Sequence, residues 1–230
     1  MTNIAIITAR GGSKRIPRKN IKEFMGKPMI AYAIEASISS EIFDEVMVST
    51  DDMEIAEIAK NFGAQVPFIR SKKTSNDFAT TSDVLKEVID EYKKINKIFD
   101  NFCCIYPCVP FLNGEILKKA YNKFDETKAD SLMPVVKYSF PIQRAVRINT
   151  QGYLEYREPE NSQKRTQDLE GMYHDVGMFY IEKTEAFLKY GNLVTPKTAF
   201  YEMEESLIQD IDTLEDWKMA ELKYKVLHNV

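Results

Sequence analysis

Short apolar runs alternate with segments of helical period through the first 124 residues, and this alternation constrains the fold most strongly. Residues 3–8 (NIAIIT) are almost entirely apolar, the pattern of a central strand covered on both faces. Residues 46–50, 66–69 and 102–105 read as further short strands. Between them, Ile30, Ala33, Ile34 and Ser37 recur at helical spacing. So do Ile55, Ile58, Ala59 and Phe62, ahead of a terminating Gly63, and Leu85, Val88, Ile89 and Tyr92. Residues 114–124 add another helix. Such alternation builds βαβ units, an α/β fold with a mostly parallel central sheet flanked by helices. Ligands of these sheets bind at the carboxyl ends of the strands. The loop after the first strand, residues 9–22, is therefore the leading site.

After Pro134 the pattern weakens. Gly152 in TQGY marks a hairpin turn, and residues 155–168 (EYREPENSQKRTQD) read as an extended arm. Alternation returns at 176–181 and at 200–211. A last helix from Thr213 places Trp217, Ala220, Tyr224 and Leu227 on one face. The expected organisation is one domain over residues 1–230. Its core covers about 1–135 and 173–230, and an excursion over about 136–172 is suited to docking on a second subunit.

Composition excludes several classes. Hydrophobic residues are 44% and charged residues 29% of 230, with 9 Gly and 9 Pro, so a low-complexity chain is ruled out. No apolar run is long enough to span a bilayer and no signal-peptide layout is visible, so a cytoplasmic location is expected. Cys103, Cys104 and Cys108 lack zinc-site spacing and read as small, reduced, buried residues. The net charge of −4 argues against nucleic-acid binding. Yet residues 1–22 hold no carboxylate and six cations: Arg10, Lys14, Arg15, Arg18, Lys19 and Lys22. One short basic segment on an acidic body points to a compact anion site.

That segment, Ala9-Arg10-Gly11-Gly12-Ser13-Lys14-Arg15-Ile16-Pro17-Arg18-Lys19-Asn20, matches neither G-x4-G-K-[ST] nor G-x-G-x-x-G. Its chemistry is related. Gly11 and Gly12 permit close backbone approach and unusual φ values. Their N–H groups, with that of Ser13, can form an anion nest, and Arg10, Lys14 and Lys19 add full charges. The plain alternative is a solvated basic turn, but mutual repulsion of six cations calls for an anion, which a triphosphate would supply. Near the other end of the chain, Asp210 and Asp212 flank Ile211. In an extended strand the two carboxylates would face one site, as Mg²⁺ requires. A helix N-cap at Asp212, with Glu215 as partner, is an equally strong reading of the spacing. Asp52 is expected to cap the helix from Met53, while Asp51 could reach a nucleotide or its metal.

The loop ARGGSKRIPRKN, the STDD after the second strand and the closing IDTLEDWKMAE resemble, together and in order, the CMP-sialic acid synthetase-like cytidylyltransferases. The resemblance implies a Rossmann-like nucleotidyltransferase fold and transfer of CMP from CTP to the anomeric hydroxyl of a nine-carbon α-keto acid sugar, with Mg²⁺. Within the family, IYP at 105–107, SFPIQR at 139–144 and YHDVG at 173–177 are most similar to the branch that activates pseudaminic acid. Tyr106-Pro107-Cys108-Val109-Pro110 stands where the sialic acid branch is expected to carry Gln-Pro-Thr-Ser-Pro. The resemblance gives Arg10, Lys14, Lys19 and the loop N–H groups the triphosphate, and Lys19 the charge at the α-phosphate. Asn20, Arg70 and Ser82 fall near cytosine and ribose, and Asp210 and Asp212 on the metal, with Asp212 or a metal-bound hydroxide as candidate base. Tyr106, Gln143, Arg144, Arg165, Tyr173, His174 and Asp175 fall to the sugar. His174 as a structural histidine, and Arg144 and Arg165 as solvated surface, are the plain alternatives. It also implies a homodimer in which the excursion serves the neighbour. Rival readings are another nucleotide donor, sialic or legionaminic acid as acceptor, a non-catalytic nucleotide-sugar-binding regulator, and an RNA-binding or scaffolding role for the basic loop.

Overall fold

The apolar runs of the sequence become strands because both of their faces find cover. The computed structural model describes residues 1–229. In chain order the elements are β1 (Asn3–Thr8), β2 (Glu23–Phe24), β3 (Lys27–Pro28), α1 (Met29–Ser39), β4 (Glu45–Ser49), α2 (Met53–Asn61), α3 (Thr81–Lys94), β5 (Asn101–Ile105) and α4 (Gly114–Thr127). They continue with β6 (Ser131–Lys137), β7 (Val146–Ile148), β8 (Leu154–Tyr156), β9 (Tyr173–Asp175), β10 (Phe179–Lys183), α5 (Thr184–Tyr190), β11 (Thr198–Glu202) and α6 (Leu214–His228). The main sheet has the order β11-β6-β10-β5-β1-β4, with β9 against the far end of β6. β1 runs parallel to β4 and β5, and β11 parallel to β6. β10 is antiparallel to both neighbours, because the chain returns from its excursion at the carboxyl edge and runs back down the sheet.

Period-two alternation sorts the strands between two apolar layers. Ala5, Ile7, Val48, Cys103 and Ile105 pack with residues of α1, α4 and α6. Ile4, Ile6, Met47, Phe102 and Cys104 pack with residues of α3 and α5. Cys103 and Cys104 are buried and unpaired, as expected for small core residues.

Several expectations need correction. Residues 66–69 are not a strand. Only Gln65 pairs with β4, through bonds with Val46 and Val48, and Pro67, which has no N–H, interrupts any ladder. Residues 155–168 are not an extended arm. β8 ends at Tyr156, and 3₁₀ turns follow at Pro159–Asn161 and Thr166–Asp168. The β7–β8 hairpin around Gly152 does form. The alternation at 200–211 yields strand only to Glu202, so Asp210 and Asp212 do not lie in a strand. Leu227 is 37% exposed, since α6 outruns the body it packs on after Tyr224. No described helix is long and apolar enough to cross a membrane.

α6 brings the end of the chain back beside the basic loop. Thr213 caps it, accepting from the Asp216 amide while the Asp216 carboxylate accepts from the Thr213 amide at 2.7 Å. Asp212 is therefore not the cap. Trp217 and Tyr224 meet Phe24 edge-on, at 5.4 and 5.6 Å between ring centroids. Each such pair adds about 1 kcal/mol beyond burial. Phe24 belongs to the small β2–β3 hairpin that follows the basic loop, so this cluster fastens the start of α6 beside that loop.

Candidate active site

The carboxyl ends of β1, β4 and β5 bring the basic loop, Asp51 and Tyr106 to one edge of the sheet, as the topology requires. The loop is pinned from inside. Ile16 is buried in the core, and buried Asn20 donates from Nδ2 to the Arg10 carbonyl at 2.8 Å. The Cys108 thiol donates to Asn20 Oδ1 at 3.3 Å. Burial pushes that thiol up to about 12, so it stays protonated and keeps the bond. Asn20 thus clamps the loop, and its amide is already engaged on both sides.

Gly11 acts by closeness, and neither loop glycine acts by unusual φ. Neither Gly11 nor Gly12 is left-handed, which corrects the expectation of unusual φ values. A Cβ on Gly11 would stand 2.7 Å from Asp52 Oδ2 and 3.0 Å from Asp52 Cβ, whereas a Cβ on Gly12 would meet nothing within 4 Å. Gly11→Ala is therefore expected to lose about 1–3 kcal/mol of stability. Gly12→Ala is expected to melt with the parent, as thermal unfolding of both variants will read.

The nest is part-filled by the protein itself. Asp51 accepts from the Gly11 amide at 2.9 Å, and the Ser13 amide donates to the Gly11 carbonyl at 3.1 Å. Asp51 thus orders the loop with one oxygen while remaining exposed. The cations are also balanced internally, which corrects the expectation that only a bound anion could relieve them. Asp77 accepts from Arg10 at 2.9 Å and also pairs with Lys14. These contacts, Lys14 foremost, hold its carboxyl below the usual range. Arg18 pairs with Asp52 and Glu54. Asp52 also accepts from the amides of Glu54 and Ile55, which is the expected cap of α2. Arg15 donates to Asp212 at 2.6 Å.

The two ends of the chain meet at Lys19. Its ammonium donates to the Ile211 carbonyl at 2.6 Å and lies 3.6 Å from Asp212 Oδ1. Ile211 is buried and Asp210 exposed, so the carboxylates turn outward around an inward Ile211 without a strand to impose it. Cys108 lies close enough to Lys19, Asp210 and Asp212 to feel all three charges. Arg70 points inward. It is 6% exposed, donates to Ser49 Oγ at 3.0 Å and to the Ser49 carbonyl, and burial lowers it to about 10. Ser82 stands in the first turn of α3, whose capping box is Thr80 and Asp83.

The profile of the cytidylyltransferase family matches residues 4–226. The pseudaminic acid cytidylyltransferase of Campylobacter jejuni is 42% identical over 228 residues, 99% of this chain and 98% of its own. The chain belongs to the cytidylyltransferase family. The CMP-N,N'-diacetyllegionaminic acid synthase of Legionella pneumophila is 32% identical, over 96% of this chain and 95% of its own. Among solved structures, a CMP:2-keto-3-deoxy-manno-octonic acid synthetase complexed with CTP superposes at a TM-score of 0.71. It covers 100% of both chains at 19% identity, a likeness of fold.

The remaining expected residues of this cytidylyltransferase separate into two groups. Near the basic loop's edge, the Tyr106 hydroxyl lies 3.2 Å from Thr81 Oγ1, and Tyr173, His174 and Asp175 form β9 at the far end of β6. His174 packs at a tilt against Tyr138, 4.7 Å between ring centroids, and is exposed. Out on the excursion, Gln143 donates to the Glu170 carbonyl at 2.9 Å, and Arg165 forks onto Asp168 at 2.8 and 3.1 Å. Among the described residues, no hydrogen bond or ion pair joins Gln143, Arg144 or Arg165 to the loop. Asp77, Arg15, Thr81 and Tyr180 were missed as site residues. Asp77 sits in an unremarkable polar loop, and nothing in the sequence opposes it to Arg10, 67 positions away.

Proposed function

We propose that this chain transfers CMP from CTP to the anomeric hydroxyl of pseudaminic acid, a nine-carbon α-keto acid sugar, releasing pyrophosphate. The observation that carries the reading is 42% identity along 99% of the chain to a pseudaminic acid cytidylyltransferase. The site supports it. Arg10 and Lys14 offer paired cations at the sheet edge, and the triphosphate would take the place Asp77 now fills. Lys19 is fixed beside Asp212 and suits the charge that develops at the α-phosphate as the bond to pyrophosphate breaks. The hydroxyl oxygen attacks in line, so positioning and charge neutralisation carry the catalysis.

The donor set fits Mg²⁺. No group of three or more His, Cys, Asp or Glu among the described residues converges into a cage. Mg²⁺ is held by one or two carboxylates with phosphate oxygens and water, and Asp210 and Asp212 offer two outward carboxylates. When bound, the ion would neutralise phosphate charge and orient the leaving group. Arg15 and Lys19 hold Asp212 in position for it.

The hairpin leaves Ile148 and Leu154 more than 70% exposed, and Phe140 is 84% exposed. Apolar surface of this kind supports the homodimer reading, which sedimentation velocity will test. Dependence on CTP supports a cytoplasmic location.

Pyrophosphate release is the deciding assay, with CTP, Mg²⁺ and a panel of pseudaminic, legionaminic and N-acetylneuraminic acids, and UTP as control donor. Turnover with CTP and pseudaminic acid alone is expected, and it is expected to stop when EDTA removes the metal. Turnover with another sugar would overturn the acceptor. CTP binding without turnover on any sugar would favour the regulator.

A further inference from the structure

The strand that returns from the excursion is broken at the site edge, and Tyr180, which lies outside the expected site, braces the residue that holds the break. β9 and β10 both run antiparallel to β6, but the pairing lapses after Val176, whose amide still donates to the Pro134 carbonyl at 3.1 Å, and resumes at Ile181. Gly177 takes φ +66 there, a left-handed conformation that favours glycine. Asp175 holds the break with both oxygens. Oδ1 accepts from the Gly177 amide at 2.8 Å, and Oδ2 accepts from the Tyr180 hydroxyl at 2.6 Å. The Tyr180 side chain is buried in the layer that includes Phe102 and Cys104. Its ring meets Tyr106 edge-on at 5.9 Å between centroids. The Tyr106 amide donates to the Met178 carbonyl at 2.9 Å, and its hydroxyl lies 3.2 Å from Thr81 Oγ1, one residue before Ser82. Burial raises both phenols, so both remain protonated donors throughout the working pH range.

We infer that Tyr180 is a positioning residue for the acceptor sugar, locking Asp175 and propping Tyr106 at the edge of the site. The inference rests on the sugar reading above. An unlocked Asp175 at the surface would sample several rotamers, and ordering it would weaken binding. Tyr180 orders it in advance. Each carboxylate oxygen keeps a second lone pair, so the locked Asp175 can still accept from a sugar hydroxyl or acetamido N–H. Arg10, Lys14 and Lys19, which the proposed function assigns to CTP, bond to neither Asp175 nor Tyr180, so the effect is expected to fall on the sugar.

Tyr180→Phe removes the one hydroxyl and keeps the ring. Its KM for the sugar is expected to rise about tenfold, with kcat and the KM for CTP within twofold of the parent. Asp175→Asn reaches the same bond from the solvent side without touching the core, and it is expected to raise the sugar KM alone as well. In the free enzyme, Tyr180→Phe is expected to speed hydrogen exchange at the Gly177 amide about tenfold. Equal rises in both KM values, or an unchanged sugar KM, would overturn the inference. If the parent turns over no sugar, the functional reading fails, and Gly177 exchange then decides the inference: an unchanged rate overturns it.

Discussion

Lys19→Met is expected to lower kcat about a thousandfold at saturating substrates, equivalent to about 4 kcal/mol of transition-state stabilisation. The side chain is 20% exposed, and its ammonium is fixed between the Ile211 carbonyl and Asp212. A charge held this way needs no reorganisation when the α-phosphate gains charge, which makes it worth far more than a mobile surface lysine. The competing role is mechanical, because Lys19 also ties the basic loop to the segment before α6. Loss of that tie alone would cost about 1–2 kcal/mol of stability. It would leave kcat nearly intact once CTP saturates the loop. Single-turnover rates and thermal melts on the same preparation separate the two. A variant that melts several degrees early yet turns over normally would remove Lys19 from the chemistry. Lys19→Arg is expected to recover little, since a planar fork does not replace a compact ammonium at one carbonyl and one carboxylate oxygen.

Glu182→Gln is expected to stabilise the protein by about 4 kcal/mol at pH 8 and by only about 1 kcal/mol at pH 5. Glu182 lies on β10 between Phe102 and Ser131, wholly buried, and neither carboxylate oxygen has a hydrogen-bond partner among the described residues. Burial, with Asp130 adding to it, pushes the group from 4.5 up to about 8. The folded protein therefore keeps a proton that the unfolded chain releases above about pH 4.5. Stability falls as pH rises from there to about 8, by about 1.4 kcal/mol per unit at most, and then levels off. The amide carries no such titration, so its stability curve should lack this slope. Urea unfolding of both proteins at pH 5, 6.5 and 8 gives the difference directly. Parallel curves would mean that Glu182 is ionised in the fold and paired by an ordered ion or water.

The cytidylyltransferase site was legible where the chemistry is local in the chain. Arg10, Lys14 and Lys19 stand within ten residues, and the Asp52 cap follows from the residues it caps. Asp210 and Asp212 were paired by a spacing argument whose premise, an extended strand, did not hold. They turn outward because buried Ile211 fixes the chain between them. The excursion was located by its loss of periodicity, but its 3₁₀ turns were not, since turns of three residues leave no period to read.

By itself, the sequence determined the α/β fold, the edge of the sheet that carries the site and the family. Each follows from residues near one another in the chain: runs of apolar strand, periodic helices and a basic loop. Tertiary structure alone decided which carboxylates oppose the cations, that Asp51 and Asn20 serve the loop's own backbone, and that Tyr180 governs Asp175. Most of those pairings join segments that only the folded sheet brings side by side. Pairwise distance across a sheet depends on strand order and register, and these are set by the packing of the whole core.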